Sequence, residues 1–236
     1  MDTGTSHTSA KAAVSATPLI DVRAVEVTLA SQAGPVEILR GLDLRVEAGE
    51  SLGIVGPSGS GKTTLLMVLA GLEAIQAGYI RVNGVDPSVM NEDELACFRR
   101  DTIGIVFQSF HLIATMTALE NVAIPLEFRG ERDAFELARA WLERVGLGHR
   151  LHHYPGQLSG GEQQRVAMAR ALAPGTKILL ADEPTGNLDE DTGRRIIDLL
   201  FELQAETGLC LLLVTHDRAI AGKCRRIVQV RDGRIV

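Results

Sequence analysis

Two kinds of hydrophobic pattern divide the chain. In its N-terminal part, residues 19–29 and 36–46 alternate apolar with polar side chains, which is typical of strands that bury one face only. Gly34-Pro35 marks a turn between them, and residues 79–82, which end at Asn83-Gly84, predict a further strand and turn. We therefore expect a small antiparallel β subdomain near the N-terminus.

Short, continuous apolar runs characterise the rest of the chain. These runs are residues 51–55, 103–107, 178–181 and 209–214. Segments with helical periodicity lie between or beside them, at residues 64–72, 91–100, 164–172 and 192–203. Apolar strands that alternate with helices predict an α/β fold with a mostly parallel sheet buried on both faces. Residues 226–236 predict a closing hairpin that turns at Asp232-Gly233.

One region interrupts this alternation. Residues 109–156 contain no convincing strand, whereas helical periodicity is present at 117–122 and 133–145. The second of these segments places four apolar side chains on one face, Leu137, Trp141, Leu142 and Val145. We interpret the region as an inserted helical subdomain.

These patterns also predict the domain boundaries. Residues 1–18 are rich in Thr, Ser and Ala, lack periodicity and carry no apolar segment of the signal-peptide type, so we predict a disordered tail. Residues 19–236 are expected to form one domain. Its core comprises residues 19–108 and 166–236, including the β subdomain, and residues 109–165 form the helical subdomain.

Composition and charge exclude some functions. Charged residues make up 23% of the chain, and the net charge of −6 argues against nucleic-acid binding, which favours a basic domain. No apolar stretch approaches the ~18 residues that a membrane span needs. If the protein takes part in transport, another chain must therefore provide the path through the membrane.

The strongest chemical signal is a glycine-rich loop between an apolar run and a helical segment, reading G-x-x-x-x-G-K-T. This is the P-loop pattern, in which backbone N–H groups and a helix N-terminus surround a phosphate. Lys62 would reach the β- and γ-phosphates, and the Thr63 hydroxyl would bind Mg²⁺. The predicted nucleotide-binding residues here are Gly56, Pro57, Ser58, Gly59, Ser60, Gly61, Lys62, Thr63 and Thr64.

Polar residues follow three of the apolar runs. Gln108, Asp182-Glu183 and His216 stand at strand ends, where ligands bind in open α/β sheets. Asp182 would hold Mg²⁺, Glu183 would polarise the attacking water, and His216 would donate to the γ-phosphate and the water. Asp182-Glu183 and His216 have the less favoured alternative of a polar turn after a strand, and their convergence with a P-loop favours an active site further.

Residues 158–165 suggest a second phosphate cradle. Ser159-x-x-Glu162 is a capping box, so a helix begins there. Gly160 and Gly161 are unfavourable in a helix, at about 1 kcal/mol each relative to Ala, but they allow a phosphate to come close. Two copies of the chain, paired head to tail, would bring this cradle of one copy to the P-loop of the other.

The order of these elements resembles that of the ATP-binding-cassette (ABC) ATPases, over roughly residues 19–236. Residues 158–165 are similar to the family's signature, residues 178–183 to Walker B, and residues 186–189 to the D-loop, while Gln108 and His216 match the Q-loop and H-loop. The resemblance implies a P-loop NTPase (RecA-like) core that hydrolyses ATP with Mg²⁺. It further implies that Gln108 helps to bind the metal and place the water, and that Asp189 acts across a dimer interface.

The same resemblance implies partners and a location. It implies a homodimer when ATP is bound, a separate integral-membrane permease, and attachment to the cytoplasmic face of the inner membrane through that permease. Residues 105–110, 117–122 and 181–189 resemble the branch of lipoprotein-release, macrolide-export and FtsE-like ATPases, and residues 107–110 with Thr192-Gly193 are most similar to its YbbA type. The implied work is lipid or lipoprotein extraction, drug export or mechanical transmission.

One departure from the family concerns the nucleotide base. ABC ATPases commonly stack adenine on an aromatic ring shortly before the P-loop, but residues 19–51 contain no Phe, Tyr or Trp. Leu29 occupies about the expected position. We therefore expect weak discrimination between ATP and GTP.

Two other classes of protein carry a P-loop. A soluble ABC ATPase that acts on DNA or ribosomes usually has long coiled-coil insertions or tandem cassettes, and neither is present in this sequence. A P-loop kinase would leave residues 159–161 and Glu183 without a role. The transport ATPase is thus the favoured interpretation.

Overall fold

The computed structural model describes residues 17–31 and 34–236. The disordered tail predicted for residues 1–18 therefore lies almost entirely outside the described residues. The strands are β1 (Ile20–Ser31), β2 (Gly34–Val46), β3 (Ser51–Val55), β4 (Ala77–Val82), β5 (Ile103–Phe107), β6 (Ile178–Asp182), β7 (Cys210–Val214), β8 (Arg226–Arg231) and β9 (Arg234–Ile235). The α-helices are α1 (Lys62–Leu69), α2 (Glu92–Thr102), α3 (Ala118–Arg129), α4 (Ala134–Arg144), α5 (Gly160–Leu172), α6 (Glu190–Thr207) and α7 (Arg218–Ala221). Single 3₁₀ turns occur at Pro87–Val89, Gly148–Arg150 and Pro155–Gln157.

A three-stranded antiparallel sheet, in the order β2-β1-β4, forms the predicted N-terminal β subdomain. Its apolar face is buried, as the alternation predicts. The predicted turn at Gly34-Pro35 is wrong, because both residues lie in β2 and pair with Ser31 and Ala30 of β1. β2 is an edge strand of this sheet, and an edge strand tolerates proline because one of its sides needs no N–H donor for the sheet.

The second sheet has six strands in the order β5-β6-β7-β3-β8-β9, and every neighbouring pair up to β8 is parallel. Successive residues of one strand belong to different cores. Leu179 packs in one hydrophobic cluster and Leu180 in the other. The sheet is therefore buried on both faces, and the mostly parallel α/β prediction is confirmed.

Helices alone fill the region between β5 and β6, as predicted, but two details differ. α3 continues to Arg129 despite Pro125, which removes one backbone hydrogen bond. Burial of Val122, Ala123 and Leu126 along this helix offsets that loss.

The predicted apolar face of α4 is only partly right. Its buried side chains are Ala134, Ala138 and Leu142, whereas Leu137 is 41% exposed. The small alanine side chains let α4 pack against the rest of the core, and the spacing of the large apolar residues alone does not predict this face. α5 runs without a break across the boundary predicted between residues 165 and 166.

The arrangement of the parallel strands positions the site. β5, β6, β7 and β3 point the same way, so their carboxyl ends meet at one edge of the sheet. That edge carries the glycine-rich loop and the three polar strand ends.

Candidate nucleotide-binding site

The glycine-rich loop connects β3 to α1. Gly61 caps α1 with φ 101°, a left-handed conformation that favours glycine, and a side chain there would approach Leu39 to 2.9 Å. A Cβ on Gly56 would lie 2.1 Å from the carbonyl oxygen of Val230. Both glycines are thus required by the close fit of the loop. The first N–H groups of α1 have no partner within the helix, which suits an anion.

Lys62 begins α1 and is only 8% exposed. Its Nζ donates to the carbonyl oxygens of Gly56 and Pro57, at 2.9 and 2.8 Å. Because both acceptors are uncharged, they hold the ammonium group across the loop without neutralising it. The positive charge remains available to a phosphate.

Thr63 and Asp182 meet from opposite sides of the site. The Thr63 hydroxyl donates to Oδ2 of Asp182 at 2.8 Å, joining α1 to the end of β6. Partial burial raises the pKa of Asp182, and the neighbouring charge of Glu183 adds to the effect, while Thr63 and Lys62 act against it. A nearby cation would stabilise the charged form of a carboxylate in this environment.

These two oxygen donors fit Mg²⁺. Mg²⁺ prefers hard oxygen ligands and commonly takes one or two from the protein, with the rest from phosphate and water. Within residues 17–31 and 34–236, no group of three or more Asp, Glu, His or Cys side chains could hold a metal ion. Two protein oxygen ligands leave the other positions to phosphate and water, so the pair of Thr63 and Asp182 suits a metal that arrives with a nucleotide.

Glu183 and His216 form the next contact. Nδ1 of His216 lies 3.0 and 2.9 Å from the two carboxylate oxygens of Glu183. Glu183 has φ 46°, an uncommon conformation for a side chain of this size, and its N–H donates to the Val214 carbonyl oxygen at 3.0 Å. Since a carboxylate only accepts, His216 donates from Nδ1, which leaves Nε2 directed elsewhere.

Gln108 is exposed, and its side chain contacts the segment after Glu183. Its Nε2 donates to Oδ1 of Asn187 at 3.1 Å, and Nδ2 of Asn187 donates to the Gln108 carbonyl oxygen at 3.0 Å. The sequence predicted Gln108 and placed Asn187 in the segment that resembles the D-loop, but it did not predict that the two side chains pair.

One cavity of about 480 Å³ unites these groups. The residues that line it are Ile38, Gly56, Ser58, Gly59, Gly61, Lys62, Thr63, Thr64, Gln108, Asp182, Glu183, Gly186, Val214 and His216. The structure thus brings the three predicted strand ends to the predicted loop. Sequence reasoning missed Ile38, because its position in the alternation of β2 resembles that of any other strand residue.

Leu29 does not line this cavity. It is half-buried and pairs with Val36 across β1 and β2. The apolar side chain next to the loop is Ile38. An aliphatic side chain therefore borders the site, as expected, but it comes from β2 and not from β1.

The second predicted cradle lies elsewhere on the molecule. The capping box is confirmed, since Ser159 and Glu162 exchange hydrogen bonds at the start of α5. A Cβ on Gly161 would lie 2.4 Å from Cγ2 of Thr192, and one on Gly160 would lie 3.0 Å from Leu188. Packing against these neighbours is thus a second reason for glycine here, besides access for a phosphate.

Asp189 has a structural role that explains its position. Its side chain accepts from the N–H of Thr192 at 3.0 Å and caps α6, and this bond lowers the pKa of Asp189. Neither Asp189 nor residues 159–161 line the nucleotide cavity of their own chain.

Comparisons with known proteins agree with this geometry. A family model described as ABC transporter matches residues 39–186. The lipoprotein-releasing system ATP-binding protein LolD of Syntrophus aciditrophicus is 48% identical over 92% of this chain and 99% of its own length. The uncharacterized ABC transporter ATP-binding protein YbbA of Escherichia coli is 46% identical over 92% of this chain and 96% of its own.

Two further comparisons concern a larger protein and a solved structure. The macrolide export ATP-binding/permease protein MacB of Nitrosomonas europaea is 47% identical over 93% of this chain, which spans only 34% of MacB. A dimeric structure of a post-hydrolysis state of the ATP-binding cassette MJ0796, bound to ADP and Pi, has a TM-score of 0.84. It is 39% identical, with 92% of this chain and 96% of that chain covered.

Proposed function

Because this chain belongs to the ABC transporter family of ATP-binding cassettes, we propose that it binds and hydrolyses ATP to energise a membrane transporter. The observation that carries the proposal is the meeting of Lys62, Thr63, Asp182, Glu183 and His216 around one cavity, from the ends of two strands and the start of one helix. A phosphate-binding loop alone would support binding. The addition of Glu183 and His216 supports hydrolysis.

The residues divide the work in the following way. Lys62 and the loop N–H groups bind the β- and γ-phosphates. Thr63 and Asp182 would hold Mg²⁺, which would offset phosphate charge. Glu183 accepts a proton from the attacking water, a contribution worth about 10²–10⁴ in rate for general bases. His216 orients the Glu183 carboxylate through Nδ1.

We propose that a second copy completes the site. Ser159 is exposed and stands at the N-terminus of the 13-residue helix α5, outside its own nucleotide cavity. Such a terminus favours an anion, and because it does not line its own cavity we propose that it meets the phosphate held by another copy. The dimeric arrangement named for the MJ0796 cassette supports this pairing. Asp189, at the start of α6, would face the same interface.

The partner is proposed to be an integral-membrane permease. None of the helices in the described part of the chain is long and apolar enough to cross a membrane. LolD and YbbA are named as ATP-binding proteins, and MacB is named for joining an ATP-binding part to a permease. This chain covers 99% of LolD and 96% of YbbA, so by analogy with these ATP-binding proteins we place its permease on a separate chain and the complex at the cytoplasmic face of the inner membrane.

Residues 109–117 are the proposed contact with the permease. Apart from His111, this stretch has no ionisable side chain, and Ile113 is 39% exposed. Asn121, which is fully buried, accepts from the Ile113 N–H at 2.8 Å, and the two hydrogens of its Nδ2 are shared among the carbonyl oxygens of Ile113, Met116 and Thr117. A loop held in this way can transmit a displacement to Gln108.

Capture of the partner tests the proposal. The Glu183→Gln variant should retain ATP and slow its hydrolysis, so that the nucleotide-bound complex persists. We would load it with ATP and Mg²⁺ in detergent-solubilised native membranes and identify the proteins that co-purify, with Lys62→Met as a control that cannot bind ATP. We expect a permease in the first sample; ribosomal proteins or DNA without a membrane protein would contradict the proposal.

A further inference from the structure

Gln164 is a fully buried polar residue in the second turn of α5. It does not line the nucleotide cavity, and the mechanism above assigns it no role. A buried amide must find partners inside the protein, because leaving its donors unpaired is costly. Its partners therefore show what the residue is positioned to do.

Those partners are two backbone carbonyl groups next to the site. Nε2 of Gln164 lies 2.6 Å from the Pro184 oxygen and 3.4 Å from the Phe107 oxygen. Pro184 follows Glu183, and Phe107 precedes Gln108. The Gln164 side chain thus bridges the ends of β6 and β5, at the residues adjacent to Glu183 and Gln108.

The chemistry of the contact fixes the orientation of the amide. Both partners are carbonyl oxygens, so only the NH₂ group can bond to them, and its two hydrogens suffice for both. Oε1 of Gln164 is buried and has no hydrogen-bond partner in the described part of the chain. Gln164 is therefore held through its NH₂ group, and these N–H donors are what connects it to the backbone next to Glu183 and Gln108.

The location of Gln164 gives this contact a consequence. Gln164 lies in α5, five residues after Ser159, and α5 begins at the proposed cradle for the γ-phosphate of the other copy. Arg170, on the same helix, donates to the carbonyl oxygens of Phe110 and His111, just beyond Gln108. α5 is thus bonded to the Gln108 segment on both sides and to the Glu183 segment through Gln164.

We propose that Gln164 is a positioning residue for hydrolysis. It links a displacement of α5, which follows when the cradle meets a phosphate, to the placement of Glu183 and Gln108. This inference rests on the proposed ATPase function and assigns a residue within the same site. Gln164 does not line the nucleotide cavity, so its loss should affect turnover and not ATP binding.

The first test compares a Gln164 variant with a matched control. Gln164→Leu keeps much of the shape and removes both donors. Gln204→Leu is the control, because Gln204 also donates to two carbonyl oxygens, those of Gly49 and Leu209, but from α6 and away from the cavity. We would measure kcat and KM for ATP on the full-length chain, alone and with its permease. ATP affinity would be measured by competition against a fluorescent analogue, and all values would be normalised to the concentration of folded protein.

The expected result is a separation of kcat from binding. Gln164→Leu should lower kcat by about 10- to 100-fold, since small misplacements of catalytic groups reach this size, while ATP affinity stays within about twofold. Gln204→Leu should retain kcat. Equal kcat in Gln164→Leu and wild type would overturn the inference alone. Absence of hydrolysis in wild type, alone and with the permease, would overturn the proposed function and this inference with it.

A second variant separates donation from packing. Gln164→Glu introduces a carboxyl group that donates only when protonated, and burial raises the pKa of a carboxyl group. Its kcat relative to wild type should therefore rise as the pH is lowered from about 8.5 to about 6. The same ratio for Gln164→Leu should stay constant with pH. A constant ratio for Gln164→Glu would show that shape alone matters and would overturn the proposal.

Discussion

His216 and Glu183 are joined through Nδ1 of the histidine, which lies 2.9 Å from Oε2 and 3.0 Å from Oε1 of the glutamate. The two residues come from the ends of neighbouring strands, β7 and β6, and the histidine side chain is 77% exposed while that of the glutamate is 20% exposed. The proposed base is thus oriented by a residue at the rim of the cavity.

Removal of the histidine should therefore act on turnover. In His216→Ala the Glu183 carboxylate loses its orienting donor, and we expect kcat to fall by at least about tenfold with little change in ATP affinity. The measurement is a steady-state ATPase assay beside a nucleotide-binding titration. His149 is exposed and does not line the cavity, so His149→Ala serves as the control. A fall in ATP affinity as large as the fall in kcat would contradict this role.

The contact between Thr63 and Asp182 predicts a dependence on the metal. Thr63→Val keeps the shape and loses the hydroxyl, whereas Thr63→Ser keeps the hydroxyl. We expect Thr63→Val to weaken ATP binding by about 10- to 100-fold in Mg²⁺ and not to alter binding in EDTA. Thr63→Ser should bind as wild type in both; equal Mg²⁺-ATP affinity in Thr63→Val and wild type would exclude a metal-binding role for Thr63.

The aliphatic border of the site predicts weak base selectivity. The Ile38 side chain cannot form hydrogen bonds that distinguish adenine from guanine. We therefore expect the affinities for ATP and GTP to differ by less than about tenfold. Ile38→Ala should weaken both nucleotides by a similar factor, as measured by competition against a fluorescent analogue. A strong ATP preference that is lost in Leu29→Ser would instead show that Leu29 packs the base.

Asp21 predicts a dependence of stability on acid. The hydrogen bond from Arg23, helped by the charges of Arg45 and Arg81, lowers the pKa of Asp21 below its ordinary 3.8. A lowered pKa stabilises the folded protein above pH 3.8, and the gain is lost as the pH falls through the folded-state value. Asp21→Asn should therefore lower Tm at neutral pH, by about 1–3 °C for a partly screened pair, and by progressively less as the pH falls below 3.8.

A surface pair provides the control for this experiment. Arg194 contacts Glu190 at 2.8 Å, but both side chains are largely exposed, whereas the Asp21 side chain is 8% exposed. Glu190→Gln should change Tm less than Asp21→Asn at neutral pH. A difference between Asp21→Asn and wild type that persists unchanged at low pH would show that packing and not charge is responsible.

The sequence predicted the site best where one strand determines the position of one residue. Asp182-Glu183 and His216 follow apolar runs, and a parallel sheet brings such ends together regardless of the detail of its packing. The P-loop was predicted equally well, because its glycines are needed by the backbone conformation and close packing of the loop itself. These predictions needed the direction of the strands and little else.

The features that could not be predicted depend on contacts between distant segments. Gln164 looks like any polar helix residue until the carbonyl groups of Phe107 and Pro184 are placed beside it. Ile38 borders the cavity because β2 passes the loop, and the buried face of α4 uses Ala134 and Ala138, since small residues allow close approach. No local pattern distinguishes these positions.

The most direct test of the account is whether ATP joins two copies through the P-loop of one and the Ser159 cradle of the other. Full-length Glu183→Gln should form a dimer with ATP and Mg²⁺ by size-exclusion chromatography with light scattering, and remain monomeric with ADP. Addition of Ser159→Arg or of Lys62→Met should each prevent the dimer. A mixture of these two double variants should recover dimers, because one site per pair keeps both an intact loop and an intact cradle. Dimers that form equally with ADP, or that persist with Ser159→Arg, would contradict the account.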